Sequence, residues 1–89
     1  MRNLKPTKEA AKFVENLPPK QFRQVWLKVL SLLQNPFPND SEQISGFPFH
    51  RVDIGEYRII YEATENEVEL IVIGKRNDDH VYKKLKRKT

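Results

Sequence analysis

Tyr57-Arg58-Ile59-Ile60-Tyr61-Glu62 and Val68-Glu69-Leu70-Ile71-Val72-Ile73 are the two runs that decide the fold, and the second leads into Gly74-Lys75-Arg76-Asn77-Asp78-Asp79-His80-Val81-Tyr82. Both are rich in β-branched and aromatic residues, the signature of strands. Arg58 sits inside the first run, Arg76 just after the second, and Arg51 in the stretch before them. A cation inside a strand is costly unless an anion meets it. Phosphate is the expected anion.

Working backwards, Gly55-Glu56 reads as a two-residue hairpin loop of type II′, with glycine first. Phe47 to Ile54 is then one strand, Tyr57 to Ala63 its return, and Glu67 to Lys75 a third strand after a turn at Thr64-Glu65-Asn66. With that loop, Ile54 faces Tyr57, Asp53 faces Arg58, Val52 faces Ile59 and Arg51 faces Ile60. Opposed residues share a face. Val52, Ile54, Tyr57 and Ile59 therefore line the core face, joined by His50. Arg51, Asp53, Arg58 and Ile60 line the other. The third strand is apolar on both faces and is expected in the sheet interior.

Residues 2–5 form an edge strand at best. Thr7 is a helix N-cap, and Ala10, Phe13, Val14 and Leu17 follow at the spacing of one helix face. Pro18-Pro19 ends that helix and opens a second. Its apolar face is read as Phe22, Val25, Trp26, Val29 and Leu33. Asn35 to Ser41 is a loop, and a last helix, capped by Asn77 or Asp78, runs to about Lys86. With only Val81 and Leu85 as apolar anchors, this helix is expected to dock weakly. The expected architecture is α+β. It consists of an N-terminal helical hairpin packed on a small twisted antiparallel sheet, with a short C-terminal helix, in one domain over residues 1–89.

Composition narrows the function. The 89 residues contain no cysteine, which excludes disulfides and thiolate metal sites. His50 and His80 alone cannot build a closed zinc site. No apolar run is long enough to span a membrane and the N-terminus lacks a signal-peptide pattern, so a cytoplasmic protein is expected. Lys and Arg outnumber Asp and Glu by 16 to 12, a net charge of +4. Lys83, Lys84, Lys86, Arg87 and Lys88 crowd the C-terminus, as a solvated helix end or as an anion-binding surface.

Leu17-Pro18-Pro19, the helix ending at Asn35-Pro36, Gly46, Gly55-Glu56-Tyr57-Arg58-Ile59-Ile60-Tyr61, and Gly74-Lys75-Arg76 with Val81-Tyr82 occur in one order along nearly the whole chain. In that order they resemble the RelE/ParE toxin superfamily of type II toxin–antitoxin systems, in its RelE-like mRNA interferase branch. The resemblance implies a metal-independent endoribonuclease that needs no cofactor. It would cleave messenger RNA in the ribosomal A site, so its partners are the small ribosomal subunit and mRNA. A cognate acidic, RelB-like antitoxin would silence it, and DNA would be met only through the antitoxin complex. By the same resemblance Arg51, Arg58, Arg76 and Tyr82 are catalytic, and Asp53 stands where RelE itself has a second lysine. Lys75, Lys83, Lys84, Lys86 and Arg87 would contact RNA. A ParE-like inhibitor of DNA gyrase and a non-catalytic basic RNA-binding domain are the alternatives.

Such cleavage needs donors for a phosphorane-like transition state and groups that move protons at two oxygens. Arginines serve the first need, since their forks match phosphate and stay charged. For the second the candidates are Asp53, His80, Tyr82 and Lys75. Asp53 has a competing role as a cross-strand partner of Arg58. His80 also reads as an incidental surface residue, and Tyr82 as a packing residue or a platform for an RNA base.

Overall fold

The computed structural model of the chain describes residues 1–77 and 80–88. Among these, strand β1 (Asn3–Pro6) precedes helices α1 (Lys8–Glu15) and α2 (Pro19–Gln34). Strands β2 (Glu42–Gln43), β3 (His50–Ile54), β4 (Tyr57–Ala63) and β5 (Glu67–Lys75) follow, and helix α3 (His80–Lys88) comes last. The sheet order is β1-β5-β4-β3-β2. Two features extend the expected sheet. β1 lies parallel to β5, so the sheet is mixed, and the segment after the proline-rich loop adds β2 at the far edge. A two-residue edge strand has no periodicity to reveal it.

The β3–β4 hairpin has the expected register, with Ile54 opposite Tyr57, Asp53 opposite Arg58, Val52 opposite Ile59 and Arg51 opposite Ile60. Gly55 sits at φ 58 and Glu56 does not have a positive φ, the type II′ pattern. β3 starts at His50, not Phe47. Residues 44–49 close on themselves instead, with the Ile44 amide donating to the Phe49 carbonyl at 2.9 Å and the Phe47 amide to the Ile44 carbonyl at 3.1 Å. Pro48 has no N–H to give a ladder.

The two faces of the sheet carry separate cores. On one, Ala10 and Val14 of α1 and Val25, Val29, Leu32 and Leu33 of α2 pack on Val52, Tyr57, Ile59, Tyr61, Val68, Leu70 and Ile73. Thr7 caps α1 as expected, accepting from the Ala10 amide at 3.2 Å and donating to the Ile71 carbonyl at 3.0 Å. Phe22 and Trp26 differ from expectation: they are 38% and 37% exposed and stack on each other, while Leu32 is buried. The apolar side of α2, which also carries Leu27 and Leu30, is wider than the stripe that is buried, so periodicity alone does not choose the inward residues; packing does.

The other face is covered as well. Val81 and Leu85 of α3, each 1% exposed, seat on Ile60, Ile71 and Val72, with Ile44, Phe47, Phe49 and Tyr82 at the margin. A bulge supplies part of this seat. Ile60 pairs with Val72 and Tyr61 with Leu70, which leaves Ile71 between them without an opposed residue. Gly74 completes it, because a Cβ there would lie 2.6 Å from Val81 Cγ2. α3 thus has a shaped apolar seat, more than two anchors suggest.

Among the described residues no helix is long and apolar enough to cross a membrane.

A candidate anion site between the sheet and the last helix

The register of the β3–β4 hairpin turns Arg51, Asp53 and Arg58 to the face that α3 covers, and α3 lowers Tyr82 onto them. Arg58 is the hub. Its Nε and Nη2 donate to the two carboxylate oxygens of Asp53 at 2.7 and 3.1 Å, and its Nη1 donates to the Tyr82 hydroxyl oxygen at 2.7 Å. The guanidinium carbon lies 5.7 Å from the Tyr82 ring centre. Arg51 approaches the same hydroxyl from the neighbouring strand, Nη1 to oxygen 3.5 Å, while its Nη2 donates to Glu42 Oε2 on β2. Four elements, β2, β3, β4 and α3, thus meet in one chain of charge-assisted contacts.

The electrostatics follow from these contacts. The Arg58 hydrogen bond holds the Asp53 carboxyl below the usual carboxylate range, against the opposing effect of burial, and the charges of Arg58, Arg51 and Arg76 add to it. Asp53 in turn raises the Arg58 guanidinium further above its ordinary value. A cavity of about 110 Å3 borders Arg51 and is lined by Asp40, Glu42, Arg51, Val52 and Asp53. Asp40 is itself tied to Lys28 at 2.8 Å and held low by that bond.

The expected residues do not all come together. Arg51, Asp53, Arg58 and Tyr82 form one linked set, with both arginines at the Tyr82 hydroxyl and Asp53 on Arg58. Arg76 is an exposed turn residue after β5, anchored by its backbone amide on the Glu56 carbonyl at 2.8 Å and close enough for its charge to act on Asp53. Lys75 does not join them: it pairs with Tyr57 and therefore takes the parity of the opposite face, whereas Gly74 pairs with Arg58. Lys83 and Lys86 are exposed on α3. His80 opens α3, but its side chain, like those of Lys84 and Arg87, lies outside the described residues.

His50 is packed, as its parity implied, 4.8 Å from the Phe37 ring and 6.0 Å from the Tyr61 ring, with its Nδ1 buried and without a hydrogen-bond partner among the described residues. Tyr61 donates to the Pro36 carbonyl at 2.6 Å, and burial raises its phenol. The residue the sequence did not single out is Glu42. Its signal was an acid one residue past the Asn35–Ser41 loop, which acquires meaning only once β2 pairs it with Arg51. No group of three or more His, Asp or Glu side chains among the described residues is placed to hold a metal ion.

No family model and no curated sequence matches the chain. Solved structures do. An arginine-to-alanine double mutant of E. coli toxin RelE in its free state superposes with TM-score 0.79 at 23% identity, over 97% of this chain and 96% of that one. The archaeal RelE–RelB complex from Pyrococcus horikoshii matches with TM-score 0.74 at 22% identity, over 84% and 94%. The intact E. coli RelBE toxin–antitoxin complex matches with TM-score 0.74 at 21% identity, over 84% and 96%. The fold of this chain is the RelE fold.

Proposed function

We propose that this chain of RelE fold is the toxin of a type II toxin–antitoxin pair, and a metal-independent endoribonuclease that cleaves messenger RNA in the ribosomal A site. One observation carries the reading: Arg51 and Arg58 converge on a single tyrosine hydroxyl at 3.5 and 2.7 Å. Two guanidiniums brought that close together repel each other unless anions are present. Asp53 and Glu42 supply those anions within the chain, and a phosphate diester is the external anion that suits such a pair.

In this reading the ribose 2′-hydroxyl attacks the adjacent phosphorus in line and the 5′-oxygen of the next nucleotide departs. The products are a 2′,3′-cyclic phosphate and a 5′-hydroxyl. Arg51 and Arg58, with Arg76 from the rim, stabilise the charge that builds on the non-bridging oxygens. The Tyr82 hydroxyl oxygen already accepts from Arg58 and orients the phosphate or a proton beside it. Asp53 is better suited to holding Arg58 than to abstracting a proton, because a carboxylate held below its usual range is a weak base near neutrality. His80 and Tyr82 are the candidates for proton transfer. Lys83, Lys84, Lys86 and Arg87 provide the attraction for ribosomal and messenger RNA, with Lys75 contributing from the far side of the sheet.

The partner that silences such a surface is an acidic antitoxin, and the toxin acts in the cytoplasm. Similar chains have been solved with RelB-type antitoxins, which supports this part of the reading. Primer extension on transcripts after brief induction tests it. Cuts within translated regions are expected. Intact transcripts together with inhibited DNA supercoiling would favour a gyrase inhibitor instead.

A further inference from the structure

We propose that Glu42 is an anionic latch on Arg51: an RNA backbone phosphate enters the site by replacing Glu42 on that guanidinium, while the Asp53–Arg58 pair stays closed. This deepens the ribonuclease reading and rests on it for the identity of the anion, though not for the mechanics of the latch.

The two arginines differ in how they are held. Arg58 uses all three of its nitrogens, two on Asp53 and one on Tyr82, and its side chain is only 14% exposed. Fork-to-fork pairing of this kind is the strong form of an arginine–carboxylate contact. Removing Asp53 from it would strand a largely buried guanidinium and free the tyrosine that α3 carries. Arg51 is held by one oxygen of one carboxylate and by a long 3.5 Å contact to the Tyr82 hydroxyl. Its side chain is 31% exposed and that of Glu42 is 67% exposed. Single-point pairs with so much solvent contribute little to stability.

The backbone behind each acid differs too. Asp53 belongs to a five-residue strand bonded on both sides, to β4 and at its other end to β2. Glu42 belongs to an edge strand of two residues, both exposed. It can swing away without opening either core.

The consequence is a division of labour. Arg58 is the fixed wall of the site, and keeps Tyr82 and α3 in register. Arg51 is the residue that captures phosphate, and Glu42 sets how tightly it does so. With Glu42 seated, Arg51 is neutralised and the neighbouring cavity presents acids. With Glu42 displaced, Arg51 offers a free Nη edge beside the Tyr82 hydroxyl.

The test compares the wild-type chain with Glu42→Gln, Asp53→Asn and Glu65→Gln, the last removing the same charge from an exposed position on the β4–β5 turn. The probe is a fluorescent 2′-deoxy oligonucleotide, which lacks the attacking hydroxyl and is bound without being cut. Glu42→Gln is expected to tighten binding roughly fivefold, the scale of an exposed ion pair. Asp53→Asn and Glu65→Gln should not tighten binding to this degree. Inorganic phosphate, followed through the arginine Nε–H resonances, should perturb Arg51 before Arg58, and at lower concentration in Glu42→Gln. Unchanged affinity in Glu42→Gln, equal tightening in either other variant, or perturbation of Arg58 first would overturn the latch. Phosphate reaching Arg51 in a chain that binds no oligonucleotide would remove the ribonuclease reading and leave the latch standing.

Discussion

Arg58 on β4 donates to the hydroxyl oxygen of Tyr82 on α3 across 2.7 Å, so the sheet and the last helix share one polar contact beside their apolar seat. Tyr82→Phe removes the acceptor and keeps the ring. Cleavage should fall about 10- to 100-fold, matching the ~1.5–3 kcal/mol of a hydrogen bond to a charged group. Val81 and Leu85 remain, so helix content by circular dichroism should not change. Full activity in this variant would show that the hydroxyl is a bystander.

Arg58→Ala and Arg76→Ala should each relieve growth arrest. At a charge-stabilised transition state each donor is worth ~2.7–4 kcal/mol, or about 10²–10³ in rate. Arg76 is exposed, so its loss should leave the melting temperature unchanged. Arg58→Ala should lower it, because Asp53 loses its partner. Either variant cutting messenger RNA at the wild-type rate would remove that arginine from the site.

Acid stability reports the Asp53–Arg58 pair. The folded-state carboxyl lies below its unfolded value. The stabilisation is therefore present above the unfolded carboxylate value of about 3.9 and is lost as pH falls below it. Asp53→Asn should flatten that acid limb in a denaturation series from pH 6 to pH 2. It should leave the neutral limb of the cleavage pH profile in place. A shifted neutral limb would make Asp53 a proton carrier.

Gly74 tests the seat of α3. A methyl added there meets Val81 Cγ2 at 2.6 Å, and overpacking of this kind costs ~1–3 kcal/mol. Gly74→Ala should push α3 outward, carry Tyr82 off the arginines and cut activity at least tenfold. The first core, on the far side of the sheet, should be untouched. Faster amide exchange confined to α3 would confirm this, and wild-type activity with unchanged exchange would contradict it.

Much of this arrangement was legible in the residues. Gly55-Glu56 fixes the hairpin register, and the register alone puts Arg51, Asp53 and Arg58 on one face. Asp53 facing Arg58 was readable as an ion pair for the same reason. Glu42 was not legible, since its partner is set by a two-residue strand that no periodicity announces. Nor was the exact inward stripe of α2, where Leu32 is buried and Trp26 is not, because its apolar side, which also carries Phe22, Leu27 and Leu30, is wider than the face it buries. The bulge at Ile71 also escapes a period-two reading, and it helps give α3 somewhere to sit.

The arginine–tyrosine face is proposed to cut messenger RNA on the ribosome. The most direct measurement adds purified protein to ribosomes programmed with a defined message and an empty A site, then maps the ends of the fragments. A single cut within the A-site codon is expected, leaving a 5′-hydroxyl and a 2′,3′-cyclic phosphate, and no cut with Arg58→Ala. An intact message with the wild-type chain, under conditions where it still arrests growth, would contradict it.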